Sequence, residues 1–137
     1  MKIALVQVNP TIGDFKQNCA KMCEWARRAE DAGCDLVIFP ELAVSGYPPQ
    51  DLLERKPFLD DHDLAVAEML EELPAIDVMF GCLECRNERH GKKLYNSAFV
   101  ARHGKVIYRA RKRLLPSYDV FDETRYFEPG PSSELYS

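Results

Sequence analysis

Asp35-Leu36-Val37-Ile38-Phe39-Pro40-Glu41 is the stretch that decides the fold. Its apolar run is too short for a helix and is stopped by a proline. An uninterrupted run of this kind suits a strand of a parallel sheet, buried on both faces. Gly33, just upstream, is placed as the C-terminal stop of a helix. In that helix Cys19, Met22, Cys23, Ala26 and Ala29 recur near helical spacing, while Lys21, Glu24, Arg27, Arg28 and Asp31 fall on the opposite side. Asp14, after the turn at Gly13, is positioned to cap it. Further back, Ile3 to Val8 is a first apolar run, rich in β-branched residues and closed by Asn9-Pro10. It too reads as a strand buried on both faces. Strand, helix and strand in this order predict a βαβ unit with parallel pairing.

Downstream, Ser45-Gly46-Tyr47-Pro48-Pro49 is a loop by composition, and Asp51 to Glu54 suits a short helical turn. Pro57 opens a longer helix, with Val66, Met69, Leu70 and Leu73 at i, i+3, i+4 and i+7. Ile76 to Cys82 is a third strand. Ser97 to Arg102 and Lys105 to Arg109 flank His103-Gly104 as a two-residue hairpin. From Arg113 onward no period survives, which predicts a long loop. The class is α/β, with mixed pairing in the second half.

The chain has 137 residues, 46% of them apolar and 29% charged, as an ordinary globular domain has. Eighteen basic against 22 acidic side chains leave a formal charge of -4, which gives no global electrostatic reason to bind nucleic acid or an anionic membrane. Five cysteines, an odd count without a secretory leader, argue against a disulfide framework and for a cytoplasmic protein. No stretch is apolar enough to span a bilayer.

Two residues stand out as carriers of chemistry. Glu41 directly follows a strand, where open α/β sheets place ligand-lining groups, and it is braced by Pro40 and by the Gly46-Pro48-Pro49 loop. A partly desolvated carboxylate there could act as a general base; a solvated loop glutamate is the plainer alternative. Lys112 lies in a run of six basic residues, Arg102 to Arg113, uninterrupted by acid. Such a run usually forms a solvated face, but one lysine turned inward could stabilise an oxyanion. Cys82-Leu83-Glu84-Cys85 is a single C-x-x-C. On a strand its two sulfurs diverge, so it is weak evidence for zinc and reads as structural. His62, His90 and His103 suggest no triad from sequence, and there is no glycine-rich phosphate loop.

Phe39-Pro40-Glu41-Leu42-Ala43, continuing through Ser45-Gly46-Tyr47-Pro48-Pro49-Gln50-Asp51-Leu52-Leu53, resembles the glutamate motif of the nitrilase (carbon–nitrogen hydrolase) superfamily. The Gly-Tyr-Pro-Pro-x-Asp-Leu-Leu continuation is similar to the glutaminase domain of glutamine-dependent NAD synthetases. Lys112-Arg113-Leu114-Leu115-Pro116-Ser117-Tyr118, with Val120-Phe121-Asp122-Glu123 and Arg125-Tyr126-Phe127, resembles that family's lysine motif. The opening Ile3 to Pro10 with Gly13-Asp14 fits as well, so the likeness runs the length of the chain.

The resemblance implies an α-β-β-α sandwich, of which residues 1–137 would be the N-terminal part. It implies Glu41 as general base, Lys112 as oxyanion stabiliser, Tyr118 as a contact to the glutamine substrate and Glu123 as a second carboxylate near the site. The implied nucleophile is a cysteine that follows the lysine motif, and no cysteine follows Lys112 here. The chain is therefore expected to stop inside the glutaminase domain and to be inactive alone. ATP and Mg²⁺ would be used by a synthetase domain of the same polypeptide, with L-glutamine as substrate and a homo-oligomer expected. No cofactor is expected on this part. A stand-alone amidase or carbamoylase of the same superfamily, or a non-catalytic assembly module, are the alternatives.

Overall fold

Asp14 starts the first helix as its position suggests: Oδ1 accepts the Gln17 N–H at 3.2 Å. Helix α1, Phe15–Asp31, buries Phe15, Cys19, Met22, Cys23, Ala26 and Ala29. It ends on Gly33 at φ +70°, with Gly33 N–H on Glu30 C=O and Cys34 N–H on Ala29 C=O. That pair of bonds satisfies the last carbonyls and needs the left-handed residue that glycine supplies. The computed structural model in which these contacts occur describes residues 1–137 except Glu88, Val120, Ser133 and Ser137. Val120 of the lysine motif thus lies outside the described residues.

The helix delivers the chain to β2, Leu36–Ile38, which pairs in parallel with β1, Ile3–Leu5, as the βαβ reading requires. β1 departs from expectation in two respects. It is shorter than Ile3 to Val8, although Val6 N–H still donates to Ile38 C=O at 3.0 Å. It is also not buried on both faces: Ile3 is 43% and Leu5 77% exposed. β1 is an edge strand, and the helices cover the side on which Ala4 packs.

Glu41 and the loop after it lead through a 3₁₀ turn, Gln50–Glu54, into α2, Lys56–Glu72, with Pro57 in its first turn, where no N–H is required. α2 buries Ala65, Val66 and Met69 against α1. Leu73, the last member of the helical pattern, sits just past the helix in extended backbone. Three further strands complete one sheet in the order β1-β2-β3-β4-β5: β3, Asp77–Cys85; β4, Leu94–Arg102; β5, Lys105–Arg111. β2 and β3 are parallel, whereas β3, β4 and β5 are antiparallel neighbours. The β4–β5 turn is His103-Gly104 with both φ values positive, +50° and +73°, as a twisted two-residue hairpin demands. β3 and β4 run longer than expected because they pair continuously from Val78–Ala101 to Cys85–Leu94.

Register sorts the side chains into two layers, since directly opposed residues share a face and neighbours along a strand alternate. Val37, Val78, Phe80, Cys82, Phe99 and Ala101 form the core with the helices. Gly81, Leu83, Asn96 and Ala98 belong to the other side of the sheet. The expected long loop after Arg113 contains one unanticipated helical turn, α3, Glu123–Tyr126. The observed architecture is α/β, a mixed sheet with its long helices packed on one face.

Candidate functional site

Gly81 is why Glu41 sits where it does. A Cβ at Gly81 would lie 2.2 Å from Leu42 N and 2.6 Å from Glu41 Cα, so only glycine lets the post-β2 loop press onto β3. Gly81 N–H donates to Pro40 C=O at 3.2 Å across the same approach. Leu42 takes φ +46°, a left-handed conformation that costs a branched residue strain and turns the chain sharply after Glu41. Leu42, Ala43, Val44 and Ser45 are all fully buried. Buried loop backbone must find partners, and Asn18 of α1 supplies them. Its Nδ2 donates to Val44 C=O at 3.0 Å and to Thr11 C=O at 2.8 Å, and its Oδ1 accepts the Thr11 N–H at 2.9 Å.

Lys112 follows β5, with its N–H on Asn96 C=O at 2.8 Å and its C=O accepting Gly130 N–H at 2.9 Å. Arg111 and Lys112 alternate, which resolves the basic run. Arg111 makes a two-pronged pair with Glu84, Nη2 to Oε1 at 2.7 Å and Nε to Oε2 at 3.1 Å, and Ser97 Oγ adds a bond at 2.7 Å. Arg102 pairs with Asp77, and the Arg109 guanidinium lies over the Phe99 ring. Lys112 turns inward instead, its Nζ 2.7 Å from Glu41 Oε1 and 3.0 Å from Glu123 Oε1. Burial pulls this ammonium toward neutrality, but the two carboxylates outweigh it and hold its pKa above the ordinary lysine value. The group therefore stays cationic at neutral pH.

Glu123, at the start of α3, has a side chain only 5% exposed. Its Oε1 also accepts the Tyr47 hydroxyl at 3.0 Å, and its Oε2 accepts Asn96 Nδ2 at 3.3 Å. Burial, then the bond to Glu123, push the Tyr47 phenol upward. Glu41 is 46% exposed, so the desolvated setting expected for it is not what surrounds it; a cation on one oxygen is. Sequence reading thus named three residues that meet in space, Glu41, Lys112 and Glu123. The fourth, Tyr118, stands apart, 65% exposed and edge-on to Phe121 at 5.7 Å, while Phe121 leads on to Tyr47 at 6.2 Å. Asn96 and Tyr47 were missed as participants.

Beside the Glu41–Lys112 pair is a depression of about 330 Å³ lined by Gly81, Ala98 and Ala110 as well as Asn96. Small residues at facing positions of three strands leave that space open. A second cavity of about 220 Å³, bordered by Tyr47, Asp51, Arg125 and Tyr126, reaches Glu123 from its other side. The arrangement is a carboxylate and an ammonium in contact, able to take a proton and to stabilise a developing negative charge at one spot. No thiol lines either space. All five cysteines are free; Cys82 is buried and Cys85 exposed, as divergent strand positions require. Among the described residues no cluster of three His, Cys, Asp or Glu side chains could hold a metal ion, and no helix is long and apolar enough to cross a membrane.

The carbon–nitrogen hydrolase family model matches residues 2–136. A glutamine-dependent NAD(+) synthetase of Acinetobacter baylyi is 44% identical over 129 residues, 94% of this chain and 23% of that protein. The structure of glutamine-dependent NAD+ synthetase from Acinetobacter baumannii in complex with adenosine diphosphate superposes with a TM-score of 0.90 at 39% identity, over 98% of this chain and 25% of that one. An amidase from Nesterenkonia sp. shares the fold, with a TM-score of 0.76 at 24% identity over 96% of this chain and 49% of that one. The chain spans about a quarter of the length of the curated synthetases it matches.

Proposed function

The chain belongs to the carbon–nitrogen hydrolase family, and on that premise we propose that it is the N-terminal part of the glutaminase domain of a glutamine-dependent NAD synthetase. The observation that carries the reading is the Lys112 ammonium held between Glu41 and Glu123 at 2.7 and 3.0 Å, beside an open depression. In the proposed reaction a cysteine thiolate, supplied from outside these residues, attacks the carboxamide carbon of L-glutamine. Glu41 takes the thiol proton and delivers it to the departing ammonia. It then removes a proton from the water that cleaves the thioester, releasing glutamate. Lys112, cationic throughout, faces the oxyanion of each tetrahedral intermediate. Glu123 holds the ammonium from its far side, and Tyr118, exposed on its aromatic neighbour Phe121, contacts the substrate.

The ammonia would pass to a synthetase domain of the same polypeptide, which uses ATP and Mg²⁺ to amidate nicotinic acid adenine dinucleotide. None of the steps assigned to this chain is routed through Mg²⁺. A cytoplasmic setting and a homo-oligomeric assembly complete the proposal.

The test uses the complete polypeptide that carries this chain, assayed for NAD formation with glutamine or with ammonium as nitrogen donor. Glu41→Gln and Lys112→Ala are expected to reduce glutamine-driven synthesis by about 10²–10⁴-fold, with ammonium-driven synthesis intact. Undiminished glutamine use by either variant would overturn the reading. The 137-residue chain alone, incubated with glutamine, is expected to release no ammonia, and Glu41-dependent release would count against it equally.

A further inference from the structure

We propose that Asn96 is a positioning residue for Glu41: its neutral carboxamide, with Lys112, ties up Oε1 and leaves Oε2 as the oxygen that accepts the proton. The inference deepens the reading of Glu41 as base and rests on it.

Asn96 Nδ2 donates to Glu41 Oε1 at 2.5 Å, and Lys112 Nζ reaches that same oxygen at 2.7 Å. Oε2 of Glu41 has no hydrogen bond among the described residues. Two donors converging on one oxygen fix the carboxylate's rotation, so its other lone pairs are held in one direction rather than swept through many. The amide can serve only one way round. Nδ2 meets carboxylate oxygens of both Glu41 and Glu123, and a reversed amide would set Oδ1 against the same two acceptors.

The chemistry also explains why the second donor is an amide. Another cation on Glu41 would stabilise its charged form further and weaken it as a base, whereas a neutral donor orients it with a smaller penalty. Asn96 is suited to the task by rigidity. It is 4% exposed, sits in β4 directly opposite Leu83, and its backbone C=O accepts the Lys112 N–H at 2.8 Å. One residue therefore sets the backbone of the cation and the side chain of the base relative to each other. Among the described residues, further titratable groups beside this pair are Glu123, which Asn96 also contacts, Tyr47, which donates to Glu123, and Tyr118, which acts on Tyr47.

Asn96→Leu removes the donor at near-constant volume, and Asn96→Ala does so with a smaller side chain should leucine prevent folding. In the complete polypeptide, kcat with glutamine is expected to fall by about 10–10²-fold with KM little changed. The acid limb of its kcat/KM profile is expected to move to higher pH, because a bond to the charged carboxylate is lost, and ammonium-driven synthesis to stay the same. A variant that still makes NAD from ammonium at the parent rate but whose acid limb does not move overturns the proposal. If Glu41→Gln abolishes glutamine use while these variants shift nothing, Asn96 alone has been misassigned. If Glu41→Gln leaves glutamine use intact, the base reading has failed, and the proposal for Asn96 falls with it.

Discussion

The two longest strands, β3 and β4, carry a polar constellation on each side, and the two could hardly differ more. On the helix side His62, 1% exposed, meets Cys82: Nε2 is 3.6 Å from Sγ and accepts the Leu83 N–H at 3.4 Å. That places the ring proton on Nδ1, facing Asp63 Oδ1 at 3.0 Å. A thiol, an imidazole and a carboxylate in sequence look like a nucleophile with its base and orienting group. Yet burial pushes the Cys82 thiol far above its ordinary range, and the imidazole acceptor is already engaged by backbone. On the other side Glu41, Lys112 and Asn96 line an open depression without a thiol, with buried Glu123 paired to the ammonium. The residues that look most like a complete catalytic set are packed as structure, and the set that is open and charged is incomplete. Accessibility and charge, rather than the roster of residue types, mark where chemistry can occur.

The hardest blow to that contrast would come from exchanging roles. Cys82→Ala in the complete polypeptide is expected to leave glutamine-driven synthesis unchanged, against the 10²-fold or greater loss expected for Glu41→Gln. A comparable loss from Cys82→Ala would make the buried constellation the working one. Next in size is a stability effect confined to the buried side. His62→Ala leaves the Leu83 N–H unpaired and a void beside Phe15 and Cys82. A cost of about 2–4 kcal/mol is expected in urea unfolding of the chain. Lys112→Ala is expected to cost less, since its side chain is 31% exposed and water can replace it.

Much of the fold was legible because its signals are local. Asp14, Gly33 and the spacing from Cys19 to Ala29 specify one helix and its ends without reference to anything distant. The edge position of β1 was not legible, because a three-residue apolar run does not record which strands flank it or which of its faces a helix will cover. At the site, Glu41 and Lys112 were reached through motif and position. Asn96 was not, being one of two adjacent polar residues, with Ser97, in the stretch Leu94-Tyr95-Asn96-Ser97-Ala98, and its partner Glu41 lies 55 residues away. Gly81 left a usable trace: a glycine inside an otherwise apolar strand signals close backbone approach, and here the approaching backbone is that of Glu41. Asn18 left none, since a polar residue on a helix is ordinarily read as exposed.

The thiols give a pH test of the same contrast. Burial, then neighbouring Cys23, pushes Cys19 up to about 12, and burial also holds Cys82 well above its ordinary value, whereas in the unfolded chain both would ionise near the ordinary thiol value. A folded-state pKa above the unfolded one means that stability is fully present below the unfolded value and is lost as pH rises through the interval between the two. Unfolding free energy is therefore expected to decline from about pH 9 toward 12, and Cys19→Ala to flatten part of that decline. Thiol alkylation at pH 8 is expected to modify exposed Cys85 first and to spare Cys82 until the chain unfolds. Modification of Cys82 as fast as Cys85 in the folded chain would show that the helix side opens.

The smallest effect belongs to the pair that shares a strand end with the site but points away from it. Burial pushes the Glu84 carboxyl up, but the hydrogen bonds from Arg111 and Ser97 win and hold it below its ordinary value. A carboxylate lowered in this way adds stability above its unfolded pKa and loses it as pH falls through the folded one. Stability is thus expected to drop in the acid range below about pH 4, and Arg111→Met to remove that contribution. The cost at neutral pH is expected to be about 1 kcal/mol, because the guanidinium is 37% exposed. Glu84→Gln should behave alike, keeping a hydrogen bond to Ser97 while losing the charge. If either variant, placed in the complete polypeptide, instead moved the acid limb of kcat/KM for glutamine as strongly as Asn96→Leu, the two faces of the sheet would be electrostatically coupled. The separation of roles between them would then be one of packing alone.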